Sequence, residues 1–328
     1  MKYSGKVYQQ AAAELEQRRE GAKRALAKRR ETAFAACPEL ATLESEIASA
    51  GIEVLRAIGM GENAEQFIAE LAKHNLAAQE RQAALLTQLG FAPDHLQLRH
   101  HCAVCADSGF VQGSLCDCHI KLLRELSFAQ LNALFPLDNS DFAHFSLDFY
   151  PDTPHPALGG SSPRAHMKLV LDFCRDYAEN FSTDAPSLFF HGETGLGKTH
   201  LSLAIAGQVL KGGCSVVYGS AQNLLSRLEK ERFGSNRDSC GETEQSLLEC
   251  ELLILDDLGV EFTTQFTVAA IYNIINTRLL KNLPVIISTN LTPEELEKKY
   301  SRRVTSRIIS CYASFLFAGS DIRQLKND

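Results

Sequence analysis

A glycine-rich octet between an apolar run and a helical pattern constrains this chain more than any other feature. The apolar residues 188–190 lead into GETGLGKT at 192–199, and a helical pattern continues to about residue 210. Glycines let a backbone turn inward without a Cβ clash, and the N–H groups of such a loop bind phosphate together with the following helix N-terminus. The order strand, loop, helix predicts a P-loop rather than a chance glycine turn.

The residue types in this loop suit a nucleoside triphosphate with magnesium. Lys198 can reach the β and γ phosphates, and the Thr199 hydroxyl can ligate Mg²⁺. We therefore expect ATP as the ligand. The residues predicted to bind it are Gly192, Glu193, Thr194, Gly195, Leu196, Gly197, Lys198, Thr199 and His200.

A second apolar run, LLIL at 252–255, ends in two acids. It is too short for a helix and is typical of a buried parallel strand that carries carboxylates to the carboxyl edge of a sheet. We assign Asp256 to the Mg²⁺ shell and Asp257 to polarising the attacking water, a role that Glu often fills. A helix-capping or merely solvated acid pair is the alternative.

A third apolar run, at 284–290, ends in the polar residues Ser-Thr-Asn. Asn290 can orient water or touch the γ phosphate, and it could equally be a turn former. Two helix starts are also readable. Ser162 followed by Pro163 predicts an N-cap and a first helical position, and Thr292 with Glu295 predicts a capping box.

Length and composition favour an ordinary globular chain of about two domains. The chain has 328 residues, 45% hydrophobic, 22% charged, with a net charge of −7. That charge argues against a protein coated in positive charge for non-specific nucleic-acid binding. We find no signal-peptide core and no run of membrane-spanning length, so we expect a cytoplasmic protein without a membrane partner.

Residues 1–98 are expected to form a helical region of two to four helices, interrupted at Pro38 and at Gly59 with Gly61. Residues 1–31 hold nine Lys or Arg against four Glu. A solvated helix surface explains this basic stretch most simply, and contact with a partner protein or nucleic acid is the alternative.

Four cysteines fall close together within residues 99–122. C-x2-C followed by C-x-C across a glycine-bearing turn supplies four soft ligands for a structural, non-catalytic Zn²⁺. Because the second pair is spaced more closely than the usual C-x2-C, His119 or His101 could replace one thiolate. Free structural cysteines are the other alternative. The predicted zinc ligands are Cys102, Cys105, Cys116 and Cys118.

Residues 123–160 are rich in Pro, Gly and Asp towards their end and are predicted to be a linker. We interpret the aromatic cluster at 142–150 as a docking seam rather than a base-stacking platform. Residues 161–328 are predicted to form an α/β P-loop domain, with a parallel sheet flanked by helices and preceded by the helical, zinc-binding region.

The segments GLGKTHL, LDDLG, STN and VTSRI, taken in this order, resemble those of the AAA+ ATPases of the ASCE class. More narrowly they are similar to the helicase loaders of the DnaC and DnaI type and to the IstB-like ATP-binding proteins. The resemblance places Asn290 at the sensor 1 position. It makes Arg307, or else Arg303, an arginine finger acting on a neighbouring subunit's ATP, although both could simply be basic residues at a helix end.

The resemblance also places Arg323 at a sensor 2-like position. Eleven residues remain after the last predicted strand, 313–317, too few for a helical lid domain. The predicted activity is ATP hydrolysis, controlled by assembly into a homo-oligomer. The predicted function is loading of a replicative DNA helicase onto single-stranded DNA. The alternatives are a transposition helper of the IstB kind, a P-loop small-molecule kinase, and an adaptor that holds ATP but barely turns it over.

Overall fold

The structure, a computed structural model, describes residues 3–57, 64–134, 140–233 and 241–325. The chain divides into two compact units. One comprises Met1–Ala11 with His119–Asp328, and the other comprises Ala12–Cys118. Within the described ranges, no helix combines the length and the apolar character needed to cross a bilayer.

The described part of residues 5–88 holds three helices: α1 (Gly5–Ala36), α2 (Glu39–Ala57) and α3 (Ala64–Gln88). Pro38 lies in the break between α1 and α2, as predicted. Gly59 and Gly61 lie outside the described residues. Leu40, Leu43, Leu85 and Leu86 bury the apolar faces of α2 and α3 against each other.

Most cations of the basic stretch on α1 have partners within their own unit. Arg18, Arg19 and Lys23 pair with glutamates three or four residues earlier. Arg29 donates to the carbonyl oxygens of His95 and Gln97 at 2.9 Å each. Exposed helix pairs of this kind stabilise by only a few tenths of a kcal/mol. These contacts are typical of a solvated helix surface, and contact with a partner protein or nucleic acid stays the alternative.

A small hairpin follows the third helix. Its strands are β1 (Phe110–Val111) and β2 (Ser114–Leu115), which pair antiparallel. Gln112 and Gly113, between them, have φ of 50° and 81°. Two successive positive φ angles are those of a type I′ turn, whose twist matches the two strands. Helix α4 (Asp117–Leu134) begins directly after the hairpin.

The sheet of the larger unit is parallel throughout its described strands. They are β3 (Leu188–Gly192), β4 (Val216–Ser220), β5 (Leu252–Asp256), β6 (Val285–Thr289) and β7 (Ala313–Phe317), in the spatial order β4-β5-β6-β3-β7. The strand that carries the acid pair is therefore separated from the P-loop strand by β6 alone.

Alternate side chains of each strand enter two different hydrophobic clusters. Leu188 and Phe190 belong to the cluster on one face of the sheet, and Phe189 belongs to the cluster on the other. Because successive residues of a strand point to opposite faces, strands that are covered on both sides read as continuous apolar runs. This explains the uninterrupted apolar runs in the sequence and confirms the α/β P-loop fold class.

Eight further helices are described in the larger unit: α5 (Pro163–Glu179), α6 (Lys198–Lys211), α7 (Ala221–Phe233), α8 (Glu242–Glu249), α9 (Gln265–Leu280), α10 (Pro293–Tyr300), α11 (Arg302–Cys311) and α12 (Ile322–Leu325). Ser162 caps α5 by accepting the Ala165 N–H, and Thr292 with Glu295 forms the predicted capping box of α10.

The segment predicted as a linker has structure of its own. Helix α4 extends to Leu134, and Phe145 and Tyr150 are buried in the hydrophobic cluster that contains α5 and α6. The aromatic side chains hold this segment on the P-loop domain, within the same compact unit. The domain boundaries inferred from the sequence remain a prediction.

Candidate functional site

The carboxyl ends of the parallel strands meet at one edge of the sheet, and a pocket of about 300 Å³ lies there. This is where α/β sheets bind ligands, and the volume is at the lower end of the range for small-molecule sites. The pocket is lined by His144, Phe145, Ser146, Phe149, Thr194, Gly195, Leu196, Gly197, Lys198, Thr199, His200, Asp257, Asn290 and Ile322.

The loop conformation depends on glycine at Gly197, the residue that precedes α6. Its φ is 85°, and a Cβ there would lie 2.8 Å from the Phe145 ring and 3.0 Å from the Tyr150 hydroxyl. Both the left-handed backbone and the close packing therefore exclude a larger residue. The Tyr150 hydroxyl donates to the carbonyl oxygen of Leu196 at 2.8 Å, and this hydrogen bond holds the loop in place.

Lys198 is buried beneath the loop. Its Nζ donates to the carbonyl oxygens of Gly192 and Glu193 at 2.7 and 2.6 Å. Burial, with the neighbouring Lys198 charge, lowers the pKa of His191 at the end of β3. The Lys198 side chain lies among the residues that line the pocket.

Asp256 is buried at the end of β5 with both carboxylate oxygens engaged. Its Oδ1 lies 3.3 Å from the Thr199 hydroxyl and also accepts from Ser288, and its Oδ2 accepts from the Tyr218 hydroxyl at 2.6 Å. Burial and the neighbouring Asp256 carboxylate raise the pKa of Tyr218. Tyr218 is therefore a neutral donor, and Asp256 is held with one oxygen towards Thr199.

Asp257 and Asn290 both line the pocket. The Asp257 N–H donates to the Ser288 hydroxyl at 2.9 Å, so Ser288 contacts both acids. Asp257 has φ of 52°. A left-handed non-glycine residue is strained and persists where its surroundings fix it, often at a functional site.

Sequence reasoning missed Tyr218 and Ser288. Ser288 lies at the polar end of β6, and the Ser-Thr-Asn pattern that identified Asn290 could also have identified it. Tyr218 lies within strand β4, and no local signal connects it to Asp256, 38 residues away. The pocket wall formed by residues 144–149 was also missed, because its aromatic residues predicted packing alone.

The two predicted finger arginines lie outside the pocket lining, on α11. The Arg307 guanidinium donates to Asn276 Oδ1 at 3.0 Å and to the Tyr272 hydroxyl at 3.2 Å. Arg303 is exposed and lines a separate cavity with Thr263, Thr264 and Ser301. Within one chain these arginines are therefore not brought to this pocket.

Arg323 belongs to α12, and its side chain lies outside the described residues. The neighbouring Ile322 lines the pocket, and its N–H donates to the carbonyl oxygen of Gly195 at 3.1 Å. The backbone of α12 is thereby held against the P-loop.

The second predicted site is a group of cysteines beside the β1–β2 hairpin. Their sulfur atoms all lie within 4.8 Å of one another, with Cys102 to Cys116 at 3.9 Å and Cys105 to Cys118 at 3.4 Å. Tetrahedral zinc with Zn–S bonds of about 2.3 Å places its sulfurs about 3.8 Å apart. The four-thiolate set is compatible with zinc, and neither His101 nor His119 belongs to the group found among the described residues.

A buried carboxylate organises the first cysteine pair. Asp107 accepts the N–H groups of His101 and Cys102 at 2.8 Å each. Burial raises the pKa of Asp107, but these hydrogen bonds and the nearby His100 outweigh it and leave the pKa below its ordinary value. Backbone N–H groups of Cys105 and Val104 lower the pKa of Cys102 to about 7. Cys102 is thereby the favoured thiolate, whereas burial and hydrogen bonds with the other thiols raise the pKa of Cys118.

The parallel sheet and the pocket at its carboxyl edge have the arrangement of a P-loop nucleotide-binding domain. Residues 174–309 match the family model of the IstB-like ATP binding protein. The resemblance predicted from the four motifs is confirmed over these residues.

Curated relatives share the similarity over part of their length. The replicative helicase loader DnaC of Escherichia coli (strain K12) is 30% identical over 139 residues, 42% of this chain and 56% of that protein. The protein of the same name from Buchnera aphidicola subsp. Baizongia pistaciae (strain Bp) is 27% identical over 143 residues, 44% of this chain and 58% of that protein. The chain thus spans a little over half the length of these relatives.

Solved structures match over a little more than half of this chain. The crystal structure of the DnaC helicase loader is 22% identical, with a TM-score of 0.45, covering 56% of this chain and 99% of that one. The crystal structure of DnaI is 21% identical, with a TM-score of 0.43, covering 57% of this chain and 92% of that one.

Proposed function

We propose that this protein is an ATP-hydrolysing helicase loader that delivers a replicative DNA helicase to single-stranded DNA during DNA replication. The observation that carries the proposal is the 30% identity with a replicative helicase loader. The pocket formed by the P-loop, Asp257 and Asn290 supports the nucleotide part of the proposal.

ATP binding is assigned to the loop and its lysine. Residues 198–200 at the start of α6 line the pocket, and the N–H groups of a helix N-terminus suit the β and γ phosphates, while Lys198 supplies the charge. The Thr199 hydroxyl and the Asp256 carboxylate are close enough to share the coordination sphere of one Mg²⁺. Magnesium there would neutralise the charge that develops on the phosphates.

Asp257 is assigned to polarise the attacking water and Asn290 to orient it. Both line the pocket beyond the P-loop, on the side where β5 and β6 end. A carboxylate that accepts a proton from water during attack acts as a general base. The shared contact of Ser288 with both acids sets the relative positions of the magnesium ligand and this base.

The nucleoside end of ATP is assigned to the segment 144–149. Phe145 and Phe149 line the pocket, and Phe145 packs edge-on against the His200 ring at 5.4 Å. Aromatic and aliphatic side chains provide the apolar surface on which a base can stack. The docking seam inferred from the sequence would thus also form one wall of the base site.

The four cysteines are assigned to one structural Zn²⁺. Their sulfur separations fit a tetrahedral thiolate site, and a site with four protein ligands has no open coordination position. Zinc there would stabilise the hairpin and supply no catalysis.

The homo-oligomer is part of the same proposal. Arg307 and Arg303 lie on α11, away from the pocket of their own chain, so a neighbouring subunit's ATP is the site they would complete. Arg323 is assigned to the nucleotide from the carboxyl end of the domain, because α12 is held against the P-loop.

The test combines the full-length protein with the replicative helicase of its own host, labelled single-stranded DNA, and ATP with magnesium. We expect an ATP-dependent ternary complex in size-exclusion chromatography and its loss with Lys198→Ala. The matched control is Lys168→Ala, an exposed lysine of α5, which should leave the complex intact. A complex that forms equally well with Lys198→Ala, or none with the wild type, contradicts the proposal.

The family match also favours a second candidate, a transposition helper of the IstB kind. Such a protein would bind duplex DNA and a transposase. The same experiment with duplex DNA in place of the single strand distinguishes the two. Preference for the duplex, with no helicase retained, would favour the helper.

A further inference from the structure

A buried carboxylate lies just beyond the acid pair and takes no part in the pocket lining. Glu261 is 4% exposed, four residues after Asp257. Its Oε2 accepts the N–H of Gly259 at 3.0 Å, and its Oε1 accepts from the Tyr300 hydroxyl. A buried charge is costly unless it is paired and hydrogen-bonded, and such groups can be retained because they specify one conformation.

Lys299 completes this arrangement. Its Nζ lies 3.7 Å from Glu261 Oε1 and donates to the carbonyl oxygens of Gly259 and of Glu261 itself. Glu261, Lys299 and Tyr300, which we call the Glu261 clamp, therefore hold both the N–H and the carbonyl of Gly259. The clamp joins the loop after β5 to the end of α10.

The clamp acts on a stretch of backbone with little freedom of its own. From the β6 side, the N–H of Asp257 donates to the Ser288 hydroxyl and the N–H of Leu258 donates to the Ser288 carbonyl at 2.8 Å. At Gly259 φ is 113°, and a Cβ there would lie 2.5 Å from Leu291. The left-handed Asp257 is thus fixed from β6 on one side and from Gly259 on the other.

The same clamp ends at the helix that carries the two finger arginines. Tyr300 is the last residue of α10 and is 1% exposed, and Ser301, with φ of 88°, joins α10 directly to α11. Tyr300 shares its hydrophobic cluster with Leu258, which directly follows Asp257, and with Val304 on α11. Packed side chains therefore connect the loop after β5 to the start of α11.

We propose that Glu261 is a positioning residue: with Lys299 and Tyr300 it holds Asp257 where it can polarise the attacking water, and it ties that acid to the arginine-bearing helix. The inference rests on the proposed ATP hydrolysis. A displacement of about 1 Å at a reacting group can cost about a hundredfold in rate, so a residue that touches no substrate can still control turnover.

The test uses the full-length protein with Glu261→Gln, which keeps the shape and removes the charge, and Tyr300→Phe, which removes one donor to the same carboxylate. We expect ATP hydrolysis to fall by about tenfold or more while ATP affinity stays within about twofold. We expect amide hydrogen exchange at 258–260 to accelerate about tenfold or more, with the amides of β5 unchanged. The matched control, Glu297→Gln, changes an exposed glutamate of α10 and should alter none of these.

A double-mutant cycle separates positioning from a general loss of stability. If Glu261 acts through Asp257, adding Glu261→Gln to Asp257→Asn lowers the remaining rate by less than about twofold. If the double variant loses the product of the two separate losses in hydrolysis rate, the proposal is wrong. It is also wrong if amide hydrogen exchange at 258–260 in Glu261→Gln is as slow as in the wild type.

The exchange measurement does not depend on a helicase or on turnover. Failure to form the helicase complex would contradict the proposed loader function, but it would not contradict the positioning role of Glu261. A wild-type protein that binds ATP without hydrolysing it would contradict the proposed ATPase activity, and the exchange comparison would still decide whether Glu261 holds the loop.

Discussion

At the scale of single residues, Asp256 shows how the site is built. The carboxylate accepts hydrogen bonds from Ser288 and Tyr218 and lies 3.3 Å from the Thr199 hydroxyl, so neither oxygen is free to rotate away. Hydrogen bonds to a charged group contribute about 1.5 to 3 kcal/mol each. The orientation of the magnesium ligand therefore depends on two side chains that belong to neighbouring strands.

Tyr218→Phe should weaken magnesium binding without disturbing the core. The ring keeps its packing, but Asp256 Oδ2 loses its donor and the carboxylate gains rotational freedom. We expect the Mg²⁺ concentration for half-maximal ATP binding to rise by about tenfold, the equivalent of one lost charged hydrogen bond. Titration of fluorescent ATP binding with MgCl₂ measures this.

Tyr177→Phe is the matched control for that substitution. Tyr177 is also a buried tyrosine, with its pKa raised by burial, and its hydroxyl has no hydrogen-bond partner among the described residues. It should leave the magnesium titration unchanged. Equal shifts for both variants would mean that Tyr218 serves the core rather than Asp256.

At the scale of elements, the cysteine hairpin depends on one carboxylate. Asp107 is fully buried and accepts the N–H groups of His101 and Cys102. Because its pKa is lowered in the folded protein, its contribution to stability is present above its ordinary pKa of 3.8 and is lost as the pH falls through the lower folded value. At neutral pH the carboxylate thus stabilises the turn that holds the first cysteine pair.

Asp107→Asn should therefore loosen the proposed zinc site. The amide has one acceptor oxygen where the carboxylate has two, so one backbone N–H loses its partner, at a cost of about 1 to 3 kcal/mol. We expect zinc to be released to a chromogenic chelator about tenfold faster. Asp117→Asn, an exposed acid between Cys116 and Cys118, is the control, and equal release from both variants would refute the role of Asp107.

At the scale of the whole molecule, the pocket and the arginines of α11 lie at different places in the P-loop domain. The nucleotide pocket lies at the carboxyl edge, between the P-loop and the ends of β5 and β6. The arginines of α11 lie elsewhere, with Arg307 held by Asn276 and Tyr272. If ATP is hydrolysed between subunits, each subunit contributes a pocket to one neighbour and arginines to another.

Mixing two inactive variants tests this arrangement. Arg307→Ala should retain ATP binding but lose at least about a hundredfold in hydrolysis, since an arginine finger contributes 10³ to 10⁵. Adding Lys198→Ala protein, whose arginines are intact, should restore part of the rate. Steady-state phosphate release measures both.

Two further variants control that mixing experiment. Arg302→Ala removes an exposed arginine from the same helix, and Asn276→Ala removes the contact of Arg307 within its own chain. Neither should reproduce the loss. If mixing restores nothing, or if Asn276→Ala is as inactive as Arg307→Ala, Arg307 serves the fold of its own chain.

Local patterns predicted the elements well. The apolar runs at 188–190, 252–255 and 284–287 became buried parallel strands, and the caps at Ser162 and Thr292 formed as predicted. The residues that make up each of these signals lie close together along the chain, so the signals can be recognised from the sequence alone. Helix α8 was missed, because its eight residues are too few to show a clear helical period and, unlike α10, it begins without a side-chain cap.

The sequence by itself determined that this chain has a P-loop, an acid pair after a buried strand, and four cysteines spaced for a metal. Those features depend on residues that are close along the chain. Only the tertiary structure decided that Tyr218 and Ser288 hold Asp256, and that Glu261 meets Tyr300 39 residues further on. These contacts depend on the order and register of the strands and on helix packing, which arise from the whole chain and leave no local pattern.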